Sequence, residues 1–255
     1  MIKNYVKTAW RNLLRNKLYG AINIGGLAIG MAVSLLLLLY VYSEFTYNGM
    51  HTKVDRIYKV MHNQPREDGI GTGDDTPAQL AEAMQKDYAD LDKVVRTNNG
   101  YNILTGYSDV NVKLNFMAAD PAVLDVFSFD FVKGNKRTAL SNVSSVVLTQ
   151  AGAKALFGNA DPIGKVIRVN NYKSGMKVSA VIKDHPVNSS FTFKMLISWD
   201  AYATLQPWVK NSSWGNYAFS TFALLKPNVS VDTFNKKLKG MVKRYDSNHL
   251  KNVVG

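Results

Sequence analysis

Between Lys17 and Glu44 the chain carries no Asp, Glu, Lys or Arg. The centre of this stretch reads Ala21-Ile-Asn-Ile-Gly-Gly-Leu-Ala-Ile-Gly-Met-Ala-Val-Ser and runs into five leucines, Leu35 to Leu39. A helix rises about 1.5 Å per residue, so about 20 apolar residues cross the ~30 Å hydrocarbon core of a bilayer. Each central Leu favours insertion by roughly 0.3 to 0.6 kcal/mol, and no charge opposes the sum. The buried helix of a soluble protein would be shorter and apolar along one stripe. Residues 19–43 are therefore read as a transmembrane helix. Everything else must lie to one side of it or the other.

The 212 residues from Glu44 onward suffice for one large domain or two small ones. A mean hydropathy of −0.13 fits a single span attached to a mostly water-soluble body. The absence of cysteine excludes a disulfide framework and thiolate chemistry. A net charge of +12 raises the question of nucleic acid. The basic residues beyond the span are scattered, however, and no nucleic-acid-binding motif appears, so anionic lipid or an acidic partner explains the charge more simply.

Residues 2–16 read as an amphipathic helix lying on the membrane, within a cytoplasmic interfacial segment 1–18. At about 100° per residue, Ile2, Tyr5, Val6, Ala9, Trp10 and Leu13 share one face, and Lys3, Lys7, Arg11 and Arg15 form a stripe on the other. By the positive-inside rule these charges, with Lys17, hold the N-terminus in the cytoplasm and leave the body outside. A cleaved signal peptide fits less well: the apolar run is too long, and Tyr40, Tyr42 and Phe45 stand where small residues precede a cleavage site. With Tyr47 they suit an outer aromatic belt. Within the span, Gly26, Gly30 and Ser34 recur four apart, with Ala21 and Gly25 on a neighbouring row. Such small-residue spacing admits a second helix at close range.

Beyond the span, strand-forming residues alternate over Arg56 to His62, and Pro65 to Asp75 reads as a mobile polar loop. Thr76, Pro77 and Gln79 follow a capping-box pattern that predicts a helix start, with Leu80, Met84 and Tyr88 as its apolar side. Lys93 to Thr97, Asn111 to Ala118, Phe127 to Val132, Phe191 to Trp199 and Ser220 to Lys226 read as strands. Thr149 caps a helix over Gln150 to Phe157 with Gly158 at its C′ position. Asp161-Pro-Ile-Gly164 is a turn, and Lys165 to Asn170 pairs with Lys177 to Lys183 as a hairpin around Asn171 to Gly175. Val231 to Tyr245 has helical spacing through Phe234, Leu238, Met241 and Val242.

Chemistry is harder to find. His51, His62, His185 and His249 show no metal-ligand spacing, and the glycines at 69, 71 and 73 match neither phosphate-binding fingerprint. Asp184-His185 reads as a turn leaving a strand rather than an acid–base pair. Asp74 and Asp75 adjoin a helix start, where negative charge is favourable. The sequons at Asn142, Asn188, Asn211 and Asn228 matter only in a eukaryotic secretory pathway. No catalytic, cofactor or metal site is expected.

Several blocks carry a resemblance: Lys7-Thr-Ala-Trp-Arg-Asn-Leu-Leu-Arg-Asn-Lys17, then Asn23-Ile-Gly-Gly-Leu-Ala-Ile-Gly30, then Asp55-Arg-Ile-Tyr58. After them come Val147-Leu-Thr-Gln-Ala-Gly-Ala-Lys-Ala-Leu-Phe-Gly158, Asp161-Pro-Ile-Gly-Lys165, and Val181-Ile-Lys-Asp184 with Pro186 and Asn188-Ser-Ser190. In this order they resemble the permease subunits of MacB/FtsX-type ABC transporters, across essentially the whole chain. The resemblance implies an α+β fold: one N-terminal transmembrane helix, then a two-lobed periplasmic domain in the cell inner membrane. A porter-like α/β lobe, 44–98 and 199–255, would hold an inserted β-rich lobe, 99–198. It further implies a non-enzymatic part that transmits cytoplasmic ATP hydrolysis by a separate ABC ATPase to the periplasmic domain for export or efflux. A second permease copy would complete a dimer, and the resemblance leaves a periplasmic adaptor and outer-membrane channel open. Family members carry three further spans that this chain lacks, so a fragment or truncated product is expected, incomplete at the C-terminus of the porter-like lobe. The alternatives are a membrane-anchored extracytoplasmic ligand-sensing domain, which would need a cytoplasmic signalling domain, and an anchored extracytoplasmic enzyme, which would need a catalytic cluster.

Overall fold

The order of elements follows the hydropathy. In the computed structural model, which describes residues 2–67, 69–98, 100–170 and 172–245, the chain divides into two units, Met1–Gly49 and Met50–Gly255. His249 and the rest of 246–255 lie outside the described residues. In the first unit, α1 (Ile2–Arg15) and α2 (Lys17–Phe45) are separated at Asn16, whose φ of −110° and ψ of 61° leave the helical region. The helix expected over 19–43 thus extends by two residues at each end. Thr46 ends it, its hydroxyl donating to the Tyr42 carbonyl at 2.8 Å.

The second unit runs β1 (Ile57–Lys59), β2 (His62–Arg66), β3 (Gly69–Gly73), α3 (Leu80–Asp87), β4 (Leu91–Thr97), β5 (Asn102–Tyr107) and β6 (Val110–Ala119). It continues with α4 (Val123–Val126), β7 (Phe131–Gly134), β8 (Ser145–Thr149), α5 (Gln150–Phe157), β9 (Val166–Val169) and β10 (Tyr172–Ile182). Last come β11 (Met195–Ser198), α6 (Trp199–Leu205), β12 (Ser220–Leu225), α7 (Val231–Leu238) and α8 (Met241–Tyr245). Among the described residues the strands form a ten-stranded sheet in the order β1-β12-β4-β6-β11-β8-β10-β9-β5, with β7 branching from β10. Because β5 also pairs with β6, the strands from β6 round to β5 close on themselves as a barrel.

Period-two alternation assigns the side chains. On β4 and β12, Val94, Ala223 and Leu225 pack with Met84 of α3 and Phe234 of α7, while Val95 and Leu224 face a second cluster. On the barrel, Leu114, Phe116, Val146, Leu148, Met195 and Ile197 share one core with Leu156 and Phe157 of α5, and Met117, Val147 and Leu196 point the other way. In β10 the register against β8 shifts between Val178 and Ala180. This bulge puts Met176, Val178 and Val181 in the first core and Ala180 and Ile182 in the second, because an extra residue reverses the alternation. Each fully buried Leu, Ile or Phe contributes about 1.5–3 kcal/mol, and Leu148, Leu196 and Ile197 are completely covered.

Several expectations need correction. The helix after the first strand starts at Leu80, not after Thr76: the Thr76 hydroxyl donates to the Phe219 carbonyl at 3.0 Å and meets the Thr221 hydroxyl at 2.7 Å, so it cannot cap. The expected loop over 65–75 is instead a hairpin, β2 paired antiparallel with β3 from His62↔Gly73 to Arg66↔Gly69. The strand expected over 56–62 is interrupted at Val60 and Met61: the Val60 N–H still donates to the Thr221 carbonyl of β12 at 2.8 Å, and the strand resumes at His62 in β2. Of the strand expected over 127–132, Phe127 to Asp130 is not strand, because α4 precedes it and the rings of Phe127 and Phe129 turn into a core. Ser198 ends β11 and its hydroxyl accepts from the Ala201 N–H at 3.2 Å, so Trp199 begins a helix. The helix over 231–245 breaks at Lys239-Gly240, where Gly240 adopts a φ of +82°. Helix α5, its Thr149 cap and Gly158 at φ +59° stand where the sequence placed them.

Candidate functional site

Helix α1 presents both of its faces to the surroundings. Lys3, Lys7, Arg11 and Arg15 are all exposed, and so are Tyr5, Val6 and Trp10 on the opposite side. Arg15 in the last turn favours the negative end of the helix dipole. An uncovered apolar stripe opposite an uncovered basic one suits a boundary between hydrocarbon and headgroups.

Helix α2 exposes Leu35 to Leu39 as fully as its flanks, and one shallow groove runs along it between Gly26, Leu27, Gly30, Met31, Ser34 and Leu35. The Ser34 hydroxyl donates to the Gly30 carbonyl at 2.9 Å, so it is spent inside the helix. A Cβ added at Gly25, Gly26 or Gly30 would meet nothing within 4 Å. Among the described residues no contact therefore calls for glycine at these positions. Left in water, each such leucine would forgo about 1.5–3 kcal/mol of burial.

The polar groups singled out by sequence are engaged separately. Asp74 pairs with Lys59, which holds its carboxyl below the usual carboxylate range, while the Asp75 carbonyl meets His62 Nδ1 at 2.6 Å. Asp184 accepts from the Ala151 N–H at 2.8 Å, in the first turn of α5, whereas His185 turns into a cluster of phenylalanines. Among the described residues no three of His, Asp and Glu stand together as metal ligands.

Sequence reading missed the junction around Arg96, on β4. Its Nη2 donates to Asp120 at 2.8 Å and its Nε at 3.1 Å, while Nη1 reaches Glu82 at 2.9 Å and the Ala78 carbonyl at 3.0 Å. The Asp120 carboxylate also accepts from the Arg96 N–H at 2.7 Å, and the guanidinium lies 4.6 Å from the Trp199 ring centroid. One side chain thus ties β4 and α3 to the end of β6 and the start of α6. The β4–β6 ladder here is a single pair, Thr97↔Ala119. No local pattern could have announced a partner 24 residues away.

With the geometry in hand, the chain can be compared with known proteins. The family described as MacB-like periplasmic core domain matches residues 21–241. A solved domain assigned to a permease protein of Porphyromonas gingivalis is 23% identical, with a TM-score of 0.66 over 77% of this chain and 84% of that one. The extracellular domain of the noncanonic ABC-type transporter YknZ from Gram-positive bacteria is 16% identical, with a TM-score of 0.51 over 76% and 94%. The periplasmic region of MacB from Actinobacillus actinomycetemcomitans is 14% identical, with a TM-score of 0.52 over 71% and 83%. No curated protein matches the sequence.

Proposed function

Because the chain belongs to the family of MacB-like periplasmic core domains, we propose that it is the N-terminal portion of a permease subunit that works as a mechanical transmitter. A cytoplasmic ABC ATPase would supply the motion, a second permease copy would complete the dimer, and the periplasmic body would deliver the movement for export or efflux. One observation carries this reading. The family match begins at Ala21, inside the apolar helix, and ends at Met241, in α8, so span and body belong to one family unit.

The basic stripe of Lys3, Lys7, Arg11 and Arg15 would keep the N-terminus at the anionic inner leaflet, near the ATPase, leaving the body periplasmic. The open row at Gly26, Gly30 and Ser34 would receive a helix that the described residues do not contain. The Arg96 junction supports a division into a porter-like lobe, 44–98 and 199–255, and an inserted β-rich lobe, 99–198. It falls at the one-pair β4–β6 contact and would let the two lobes move together.

Co-purification from native membranes, read by mass spectrometry, tests the proposal. A stoichiometric ABC ATPase is the expected companion. Its reproducible absence, with a cytoplasmic signalling protein in its place, would move the chain to the ligand-sensing class.

A further inference from the structure

Residues 51 to 53, which lie in sequence between the apolar helix and β1, are fastened to the segment leaving α4. The Ser128 N–H donates to His51 Nδ1 at 3.1 Å, and the Thr52 N–H donates to Ser128 Oγ at 3.0 Å. The hydroxyls of Thr52 and Ser128 meet at 3.0 Å, and Lys53 Nζ donates to the Asp125 carbonyl at 2.9 Å. His51 is only 2% exposed. Its ring stands edge-on to Phe127, Phe129 and Phe191, with centroids 5.0, 6.0 and 5.8 Å away. His185 enters the same cluster after β10, edge-on to Phe129 at 5.9 Å and Phe193 at 4.3 Å.

The first of these hydrogen bonds fixes the chemistry. A backbone N–H can only donate, so His51 Nδ1 must keep its lone pair and the neutral ring carries its proton on Nε2. That Nε2 is buried with no hydrogen-bond partner among the described residues. It also has no lone pair to give, which rules out a metal held between the two imidazoles. A second proton would have to go to Nδ1, where it would face the Ser128 N–H, donor against donor. The charge would then sit among phenylalanines, where burying it unpaired is expensive.

We propose that His51 and Ser128 form an acid-released clip: closed while His51 is neutral, and opened when Nδ1 takes a proton, freeing residues 51–53 from residues 125–128. Among the described residues, the ionisable groups on the packed elements leave His51 without a counter-ion of its own. Asp125 pairs with Lys136, Asp130 pairs with Lys183, Asp184 serves Ala151, and β12 brings Phe222 against Phe127. His185 shares the cluster, and its own charge would oppose that of His51. Burial holds both imidazoles below their ordinary range, opposed at His185 by Asp184. With the folded value lowered, the released state binds more protons. The clip is at full strength above about pH 6.5 and weakens as the pH falls below it, until the folded value is passed.

Its importance rests on the transmitter reading, since the clip would set how firmly the segment after the span is tied to the β-rich lobe. Its existence does not. The test is hydrogen exchange on the full chain in lipid nanodiscs at about pH 7.5 and about pH 5, corrected for intrinsic exchange. Peptides covering residues 51–54 and 126–129 are expected to lose protection at the lower pH. In His51→Asn, whose Oδ1 accepts from Ser128 without titrating, they are expected to hold. Side-chain ¹⁵N spectra of wild type should show His51 protonated on Nε2 alone at the higher pH and on both nitrogens at the lower. Constant wild-type protection, an equal loss in His51→Asn, or a His51 already doubly protonated at the higher pH would each overturn the clip. If His51→Asn does not fold, the wild-type spectrum and the wild-type exchange decide together. None of these readings involves the ATPase, so a failed co-purification and a failed clip are separate results.

Discussion

Arg96, 12% exposed, spreads its donors over Asp120, Glu82 and the Ala78 carbonyl while its plane lies against Trp199. A planar fork can serve all of these at once, and an ammonium cannot. Removing it leaves Asp120, itself 20% exposed, with a charge answered by one backbone N–H. Breaking a partly buried pair of this kind costs about 2–4 kcal/mol. Arg96→Ala is therefore expected to lose that much in urea unfolding of the full chain in detergent, and Arg96→Lys to recover less than half of it. A loss within the scatter of a surface substitution, about 0.5 kcal/mol, would show the junction to be ornamental. Like the His51–Ser128 contact, this cluster was not legible in the sequence. Its members are ordinary polar residues until the fold brings 78, 82, 96, 120 and 199 together.

Among the elements, α5 was read correctly and α3 was not, and the difference is physical. The signals for α5 are local: Thr149 accepts from the Gly152 N–H at 3.2 Å, the apolar residues recur at helical spacing, and Gly158 takes the positive φ beyond the end. Thr76 offered the same residue type before α3, but its hydroxyl was claimed by Phe219 and Thr221, more than 140 residues on. The β2–β3 hairpin was hidden because Pro65 and three glycines read as loop, and β12 pairing could not be foreseen from either strand. The basic stripe and the glycine row, by contrast, are periodic and were visible at once. At Gly152 two of these effects compete. Alanine there would gain about 1 kcal/mol of helix propensity, but its Cβ would stand 2.5 Å from the Lys194 carbonyl oxygen. That oxygen accepts from the Thr149 N–H at 3.0 Å, so it cannot move aside freely. Overpacking against backbone costs about 1–3 kcal/mol. Gly152→Ala is expected to be net destabilising by up to about 2 kcal/mol in the same urea titration, and a gain in stability would show that the backbone at Lys194 yields.

At the scale of the whole molecule, two features are left uncovered by the described residues. Exchanging Lys3, Lys7, Arg11 and Arg15 for glutamine removes four of the charges that would orient the span, each worth about 1 kcal/mol at an anionic surface. Protease added to sealed inside-out inner-membrane vesicles is expected to leave the wild-type body protected and to cut part of the variant population, whose orientation is no longer specified. Uniform protection in both would remove the stripe from the topology argument. The glycines call for a different readout. A Cβ at Gly26 or Gly30 meets nothing here, so Gly26→Leu and Gly30→Leu should leave unfolding of the body unchanged and favour the helix itself, since Gly costs about 1 kcal/mol in a helix interior. If a neighbouring helix packs into the groove beside Ser34, the same substitutions push its backbone away by the width of a side chain, and close helix–helix contact in lipid depends on that approach. The expected result is a body of unaltered stability that no longer retains the proposed permease copy or ATPase through a detergent wash. Retention at wild-type levels would mean that the glycines are there for the bilayer and not for a partner.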